Sequence, residues 1–239
     1  MTDQAQFSFR IPNIPDGKPY LAEEAELFLL QWFIKSKDDL AGVMHRLVVY
    51  YSEHGKQEHA LPFIEWLVNN SGDPERRAAY ILKQGQLMEQ MQNFASAAAF
   101  YKAGIALEPT NREIWYFMNN NLGYSLNMLG NFVEGEYYCR AAIEIDPKWQ
   151  NAYKNLGIAL EGQERYKEAT ESYIQAVKAN GKDPRAFQIL KKMYEKVPNI
   201  IELIPDIEAQ IAQCAEAVKT GQNITRGLEN YLNDKAAKE

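Results

Sequence analysis

Small residues recur at a fixed spacing through the middle of the chain. Gly85, Gly123 and Gly157 each stand 12 residues before an alanine or a further glycine, and in the first two copies a proline follows after another 12 residues. A constant internal spacing is typical of a two-helix unit, because small residues mark the points where paired helix backbones touch. The sequence therefore predicts a stack of helical hairpins, each packed on its neighbours.

Other residue types recur around these glycines in a recognisable order: a large residue, leucine, glycine, a further large residue, alanine, an aromatic residue, alanine and proline. The second copy has Asn119, Leu122, Gly123, Leu126, Gly135, Cys139, Ala142 and Pro147, and the third has Tyr153, Leu156, Gly157, Leu160, Ala169, Tyr173 and Ala176. This pattern resembles the tetratricopeptide repeat family over about 74–184, with weaker matches over roughly 40–220. The resemblance implies an all-α fold, a right-handed α-solenoid of antiparallel helical hairpins.

Turn residues divide the chain into an arm, a solenoid and a tail. Three prolines within residues 1–20 favour an extended N-terminal arm, which either straps exposed core or occupies the groove as a self-ligand. The solenoid is expected over 21–220, and Gly221 is expected to stop a helix that opens at Pro205 and Asp206. A short C-terminal helix and a charged tail are expected over 221–239. Within the solenoid we expect a capping helix over 21–35, a degenerate repeat over 40–73, clear repeats over 74–111, 112–149 and 150–183, and a degenerate helix pair over 185–220.

One spacing departs from the usual period of the family. Gly85 and Gly123 are 38 residues apart, which is about four more than the family's period of about 34. Four residues are close to one helical turn of about 3.6 residues. We therefore expect a first helix over about 112–129 that projects a turn beyond its neighbours. The alternative is a longer loop after Pro109.

Composition limits the classes of partner. The net charge of −6 and the pI near 5.3 argue against nucleic acid as a partner, because phosphate backbones repel an acidic surface. No apolar run is long enough to span a bilayer, so we expect no membrane partner. We also expect no secretory signal and a cytoplasmic location. Cys139 and Cys214 fall on helix faces, which favours buried, reduced thiols over a disulfide or a reactive site.

The resemblance also implies where a ligand would bind, since related proteins hold peptides on the concave surface lined by the first helix of each hairpin. Tyr116, Asn120, Tyr124 and Asn127 follow one another at intervals of four, four and three, and so share one helical face, while Trp115, Leu122, Leu126 and Leu129 are expected to face the core. An asparagine can both donate to and accept from a peptide backbone, and a tyrosine adds apolar area. The alternative is that these polar residues merely tolerate water. The full set carried over by position is Leu82, Gln86, Glu89, Tyr116, Asn120, Tyr124, Asn127, Lys154, Ile158, Glu161, Gln188 and Lys192.

More specific sites find little support in the sequence. Some family members grip a terminal carboxylate with a clamp of lysine, asparagine and arginine, but only Asn120 and Lys154 match it here, so we do not expect an acidic chaperone tail to bind. Three histidines, His45, His54 and His59, do not share a helical face, and surface or packing roles are favoured over a metal site. No phosphate loop, nucleophile elbow or paired carboxylates stand out. We expect no cofactor.

These observations favour a non-enzymatic interaction module that binds a protein or peptide segment in its concave groove. The first alternative is a scaffold that assembles with copies of itself through the segment at 7–14 and the helices after Asp206. An enzyme is the second alternative, and it would need a cofactor or metal held by residues that look structural.

Overall fold

The computed structural model describes residues 40–197 and 199–236, which belong to two compact units, Met1–Asp73 and Pro74–Glu239. The arm expected over 1–20, the capping helix expected over 21–35 and the end of the tail at 237–239 lie outside the described residues. The described part of the chain is entirely helical, as the resemblance implies. Its helices are α1 Leu40–Glu53, α2 Gln57–Asn70, α3 Pro74–Gln90, α4 Phe94–Ile105, α5 Arg112–Met128, α6 Phe132–Ile145, α7 Gln150–Gly162, α8 Tyr166–Ala179, α9 Arg185–Lys196, α10 Ile200–Leu203 and α11 Ile207–Ala236.

The first unit contributes one described hairpin, α1 with α2. Leu47 and Val48 of α1 and Ile64 of α2 are fully buried between the two helices. Two of its histidines pack on tyrosine rings: His54 lies 4.3 Å from the ring of Tyr50, and His59 lies 5.4 Å from that of Tyr51. Among the described residues, no three histidine, cysteine or acidic side chains come together in a way that could hold a metal ion.

In the second unit the recurring glycines lie where paired helices touch, as their spacing predicts. A Cβ added to Gly85 would lie 2.4 Å from the Tyr101 ring, and one added to Gly157 would lie 2.3 Å from the Tyr173 ring. Each aromatic ring therefore lies against the backbone of the preceding helix, where only glycine leaves space. In the middle copy, a Cβ on Gly123 would lie 2.5 Å from the Sγ atom of Cys139. The same close contact with a glycine therefore occurs in all three copies, made by tyrosine in two of them and by cysteine in the third.

Hairpin turns share a second feature, a residue in the left-handed region of backbone space. Gly130 has φ of 80° and Gly55 has φ of 69°, whereas Gln92 and Glu164 adopt φ of 60° and 61° at the same place in their turns. Each lies seven residues after the position of the recurring small residue or its counterpart Val48. The turn geometry is thus kept even where no glycine is present to adopt it at low cost.

Successive hairpins are tied together at the start of each first helix. Glu75 accepts hydrogen bonds from the backbone amides of Thr110 at 2.8 Å and Asn111 at 2.9 Å. Arg112 donates through Nε to the carbonyl oxygen of Ile145 at 2.7 Å. The amide of Gln150 then donates to Asp183. Because each tie joins residues 33–36 apart, it fixes one hairpin against the next.

Helix lengths confirm one expectation and qualify another. The extra residues after Gly85 do lengthen a helix, since α5 spans Arg112–Met128 and exceeds α7 by four residues. However, α3 has the same 17 residues as α5, so α5 does not exceed both neighbours. The helix expected to stop at Gly221 instead continues as α11 to Ala236. Gly221 is a contact point rather than a stop, because a Cβ there would lie 2.8 Å from the carbonyl oxygen of Gly181.

Candidate functional site

The first helices of the hairpins, α3, α5, α7 and α9, carry the residues expected to bind a ligand. Along the chain, α3 contacts α5 and α5 contacts α7, as the stacked arrangement requires. Eight of the twelve expected side chains keep partial or full solvent access, and we call these eight the first-helix surface. They are Gln86, Glu89, Tyr124, Lys154, Ile158, Glu161, Gln188 and Lys192.

The other four expected residues are buried, which corrects their assignment to an open face. Tyr116 is 1% exposed, and its ring packs against Trp149 with the centroids 5.6 Å apart. Leu82 lies in the core between α3, α4 and α5. Helical periodicity correctly placed Tyr116, Asn120 and Asn127 on one face of α5, but the next hairpin covers most of that face.

Buried asparagines form a polar ladder between α5 and α7. Asn155 donates from Nδ2 to the Oδ1 of Asn120 at 3.0 Å, and Asn127 donates from Nδ2 to the backbone carbonyl of Asn155 at 2.8 Å. Asn120 in turn donates to Asn121 at 2.8 Å. Buried amides need such partners because an unsatisfied polar group costs about 1–3 kcal/mol. Asn120 and Asn127 therefore hold two helices in register rather than face a ligand.

The core face of α5 also differs from expectation in two places. Leu122 and Leu126 are buried, as expected. Leu129, by contrast, is 44% exposed, and Trp115 is only half-buried. Leu129 lies after the end of α5 in the hairpin turn, so helical spacing no longer decides which way it faces.

Tyr124 remains accessible at the edge of the ladder. Its ring meets Phe94 edge-on with the centroids 5.8 Å apart, which fixes its orientation. Burial, together with the charge of the nearby Glu89 of α3, raises the pKa of the Tyr124 hydroxyl above its usual value. An aromatic side chain held in this way loses little conformational entropy when a ligand covers it.

Two carboxylates of this surface occupy equivalent positions in their repeats. Glu89 and Glu161 each lie four residues after a recurring glycine and 12 residues before the tyrosine that covers it. The Tyr173 hydroxyl donates to Glu161 at 3.0 Å, and the Tyr101 hydroxyl is a hydrogen-bond donor to Glu89. Ser125 adds a second donor to Glu89, with its Oγ 3.0 Å from Oε1.

Burial perturbs two charged side chains of the first-helix surface. Desolvation raises the pKa of Glu89 from 4.5 to about 7, against the opposing effect of its hydrogen bonds to Ser125 and Tyr101. Desolvation likewise lowers the pKa of Lys154, aided by the nearby Arg185 guanidinium and opposed by Asp183. Burial thus destabilises the charged form of both side chains.

A second concave feature, which the sequence did not predict, lies away from these residues. It is a cavity of about 410 Å³ between α6, α7 and α8, with Tyr153, Leu156 and Leu160 among its lining residues. Arg140 and Glu168 stand among its polar residues. Nothing in residue spacing distinguishes this cavity, since its residues come from three helices.

Comparison with known proteins agrees with this geometry. The family model for the tetratricopeptide repeat matches residues 151–183, which include Gly157 and the Tyr173 that covers it. In this stretch the chain is similar to a tetratricopeptide repeat. One relative, small glutamine-rich tetratricopeptide repeat-containing protein 2 of Mycosarcoma maydis, is 30% identical over 116 residues, which make up 48% of this chain and 31% of that protein. The chain thus spans about a third of this relative's length.

Solved structures share the arrangement of these repeats. BtubC from P. vanneervenii superposes with a TM-score of 0.62 at 15% identity, over 86% of this chain and 90% of that one. MamA from Desulfovibrio magneticus RS-1 superposes with a TM-score of 0.56 at 18% identity, over 80% of this chain and 97% of that one. At these identities the likeness concerns the fold alone. Within the described residues, no helix is both long and apolar enough to cross a membrane.

Proposed function

We propose that the chain is a non-enzymatic, cytoplasmic interaction module that binds an extended protein or peptide segment on its first-helix surface. The observation that carries the proposal is Tyr124, an accessible aromatic side chain that Phe94 holds in place beside Glu89 of α3. Rigid aromatic side chains flanked by polar groups are the common anchors of protein interfaces. The buried asparagine ladder supports the same proposal, because it fixes the helices that present this surface.

The other side chains of the surface suit an extended segment. Gln86 and Gln188 have amides that can bond a peptide backbone, and Ile158 adds apolar area between Lys154 and Glu161. Stacked hairpins place such residues at regular intervals, which matches a ligand that runs across several repeats.

A matched pair of tyrosine variants tests the proposal. Tyr124→Ala changes the first-helix surface, whereas Tyr137→Ala changes α6, where Tyr137 is 68% exposed. Proteins that co-purify with the full chain from its own source are quantified by mass spectrometry for both variants. We expect Tyr124→Ala to lose partners that Tyr137→Ala retains, while circular dichroism shows that both variants are folded. An identical set of partners for the wild-type chain and both variants would contradict the proposal.

Self-association is a second candidate, favoured by exposed apolar side chains near the C-terminal helices. Ile201 and Leu203 of α10 are 45% and 44% exposed. Apolar side chains at the surface commonly mark contact sites. Light scattering over a dilution series measures this directly: an assembly that falls apart in the Ile201→Ser, Leu203→Ser double variant supports self-association, and a monomer at every concentration removes it.

A further inference from the structure

Within the repeats, Glu89 and Glu161 occupy equivalent positions but have different partners. Glu161 receives a hydrogen bond from Tyr173, and Lys196 of α9 places its Nζ atom 3.0 Å from Oε1. This carboxylate is thus neutralised by a cation from within the chain. A partly buried carboxylate gains most from such a partner because water solvates it poorly.

Glu89 lacks the cation. It receives hydrogen bonds from Ser125 and Tyr101, but no lysine, arginine or histidine among the described residues forms an ion pair with it. The residue 35 positions after Glu161 is Lys196, and the residue 35 positions after Glu89 is Tyr124. Lys196 thus supplies an ammonium group to Glu161, whereas the residue at the same offset from Glu89 is an aromatic one that lies beside it.

Groups around Glu89 suit a cation from outside the chain. Glu89 is only partly buried, so a ligand can reach it. The accessible ring of Tyr124 lies beside it, and a tyrosine face attracts lysine and arginine side chains. The titratable groups that face it are the hydroxyls of Tyr101 on α4 and Tyr124 on α5, and the pKa of each is raised, so both remain neutral near pH 7.

We propose that Glu89 and Tyr124 together bind a lysine or arginine side chain of the segment held on the first-helix surface. This inference rests on the proposed function and adds the chemistry of one contact. The ligand cation takes the place that Lys196 takes at Glu161, bonding the carboxylate while its aliphatic stem lies along the Tyr124 ring. The charge of the cation compensates the carboxylate for the water that burial removes, so the contact is stronger at about pH 8, where Glu89 is ionised, than at about pH 5, where it is protonated.

A randomised peptide library displayed on phage tests this without knowledge of the natural partner. Selections use the full chain, the Glu89→Gln variant and the Glu134→Gln variant at about pH 8. Gln has the shape of a protonated Glu, so the first variant removes the charge with little change in volume. Glu134→Gln is the matched control, because it also neutralises one carboxylate, which pairs with Lys102 and lies on α6, outside the first-helix surface.

We expect the wild-type chain and Glu134→Gln to enrich peptides with a basic residue at one position, and Glu89→Gln to lose that preference. A selected peptide measured by calorimetry should bind Glu89→Gln about tenfold or more weakly than wild type at pH 8, since truncating one partner of a charge pair has effects of this size. Peptides enriched without a basic position, or with one that Glu89→Gln retains, would overturn the inference alone. Failure of the wild-type chain to enrich any peptide would count against the proposed function, and the inference would fall with it.

Discussion

Replacing Glu89 by glutamine should stabilise the free chain at neutral and alkaline pH. In the folded chain, burial raises the pKa of Glu89 from 4.5 to about 7. Between about pH 4.5 and pH 7, the Glu89 side chain is therefore mostly protonated in the folded chain and mostly ionised in the unfolded chain. The free energy of unfolding must then fall as the pH rises from about 4.5 to about 7, because the folded state pays to ionise a poorly solvated group.

The size of the effect follows from the shift. At about 1.4 kcal/mol per pH unit, a pKa raised from 4.5 to about 7 corresponds to a destabilisation of up to about 3 kcal/mol above pH 8. Glu89→Gln cannot ionise and escapes this cost. We expect the variant and the wild-type chain to have similar unfolding free energies near pH 4.5, and the variant to be more stable by about 1–3 kcal/mol at pH 8.

Urea denaturation followed by circular dichroism, repeated at intervals from about pH 5 to pH 8, measures the difference. Glu161→Gln is the control, because it breaks the ion pair with Lys196 and should give no gain at pH 8. The other titratable groups are common to all three proteins, so they cancel in the comparison. Equal stability of Glu89→Gln and the wild-type chain at pH 8, or a difference that does not change with pH, would refute the reasoning.

Three further changes test the packing. Gly157→Ala should cost about 1–3 kcal/mol of unfolding free energy, because its Cβ would lie 2.3 Å from the Tyr173 ring. Gly42→Ala, with no atom of the described residues within 4 Å of the new Cβ, should gain about 0.5–1 kcal/mol, and the reverse order in thermal unfolding would contradict the packing. Glu164→Gly should raise stability by about 0.5–1 kcal/mol, since φ there is 61° and glycine relieves the strain; a loss in urea denaturation would contradict this. Cys139 should resist alkylation in the folded chain and react once urea unfolds it, because burial raises its pKa to about 12. Mass spectrometry locates the label, and rapid labelling of the folded chain would contradict the burial.

Residue spacing was enough to predict the repeats because steric contact determines it. An aromatic ring that lies on a helix backbone requires glycine at that place, so Gly85 and Gly157 mark their hairpins in the sequence itself. The bounds of α5, Arg112–Met128, could likewise be anticipated at about 112–129, since an insertion near one helical turn keeps the face of a helix.

The candidate site was harder to predict because periodicity identifies a shared face but not what covers it. Tyr116, Asn120 and Asn127 do share a face of α5, yet packing against α7 buries them. A polar side chain is expected at the surface unless a hydrogen-bond partner allows its burial. The partner of Asn120 and Asn127 is Asn155 in another hairpin, which the local sequence does not reveal. Tyr124, on the same face, keeps access because it lies at the edge of that contact.

Gly221 was misread for a related reason. Glycine is a common helix stop, but it also permits two backbones to touch. The second use depends on Gly181, which is 40 residues earlier in the chain and could not be paired with Gly221 from local sequence.

The crossing of α11 over Gly181 has a consequence for how this array can be enlarged. Ile207, Cys214 and Val218 of α11 are buried against the last hairpins, so α11 occupies the surface on which another unit would have to stack. A copy appended after α11 would therefore not reach the part of α8 and α9 that α11 covers. Growth by tandem duplication, in evolution or in the laboratory, is therefore favoured by insertion among the hairpins of residues 74–179, each of which packs directly on the next.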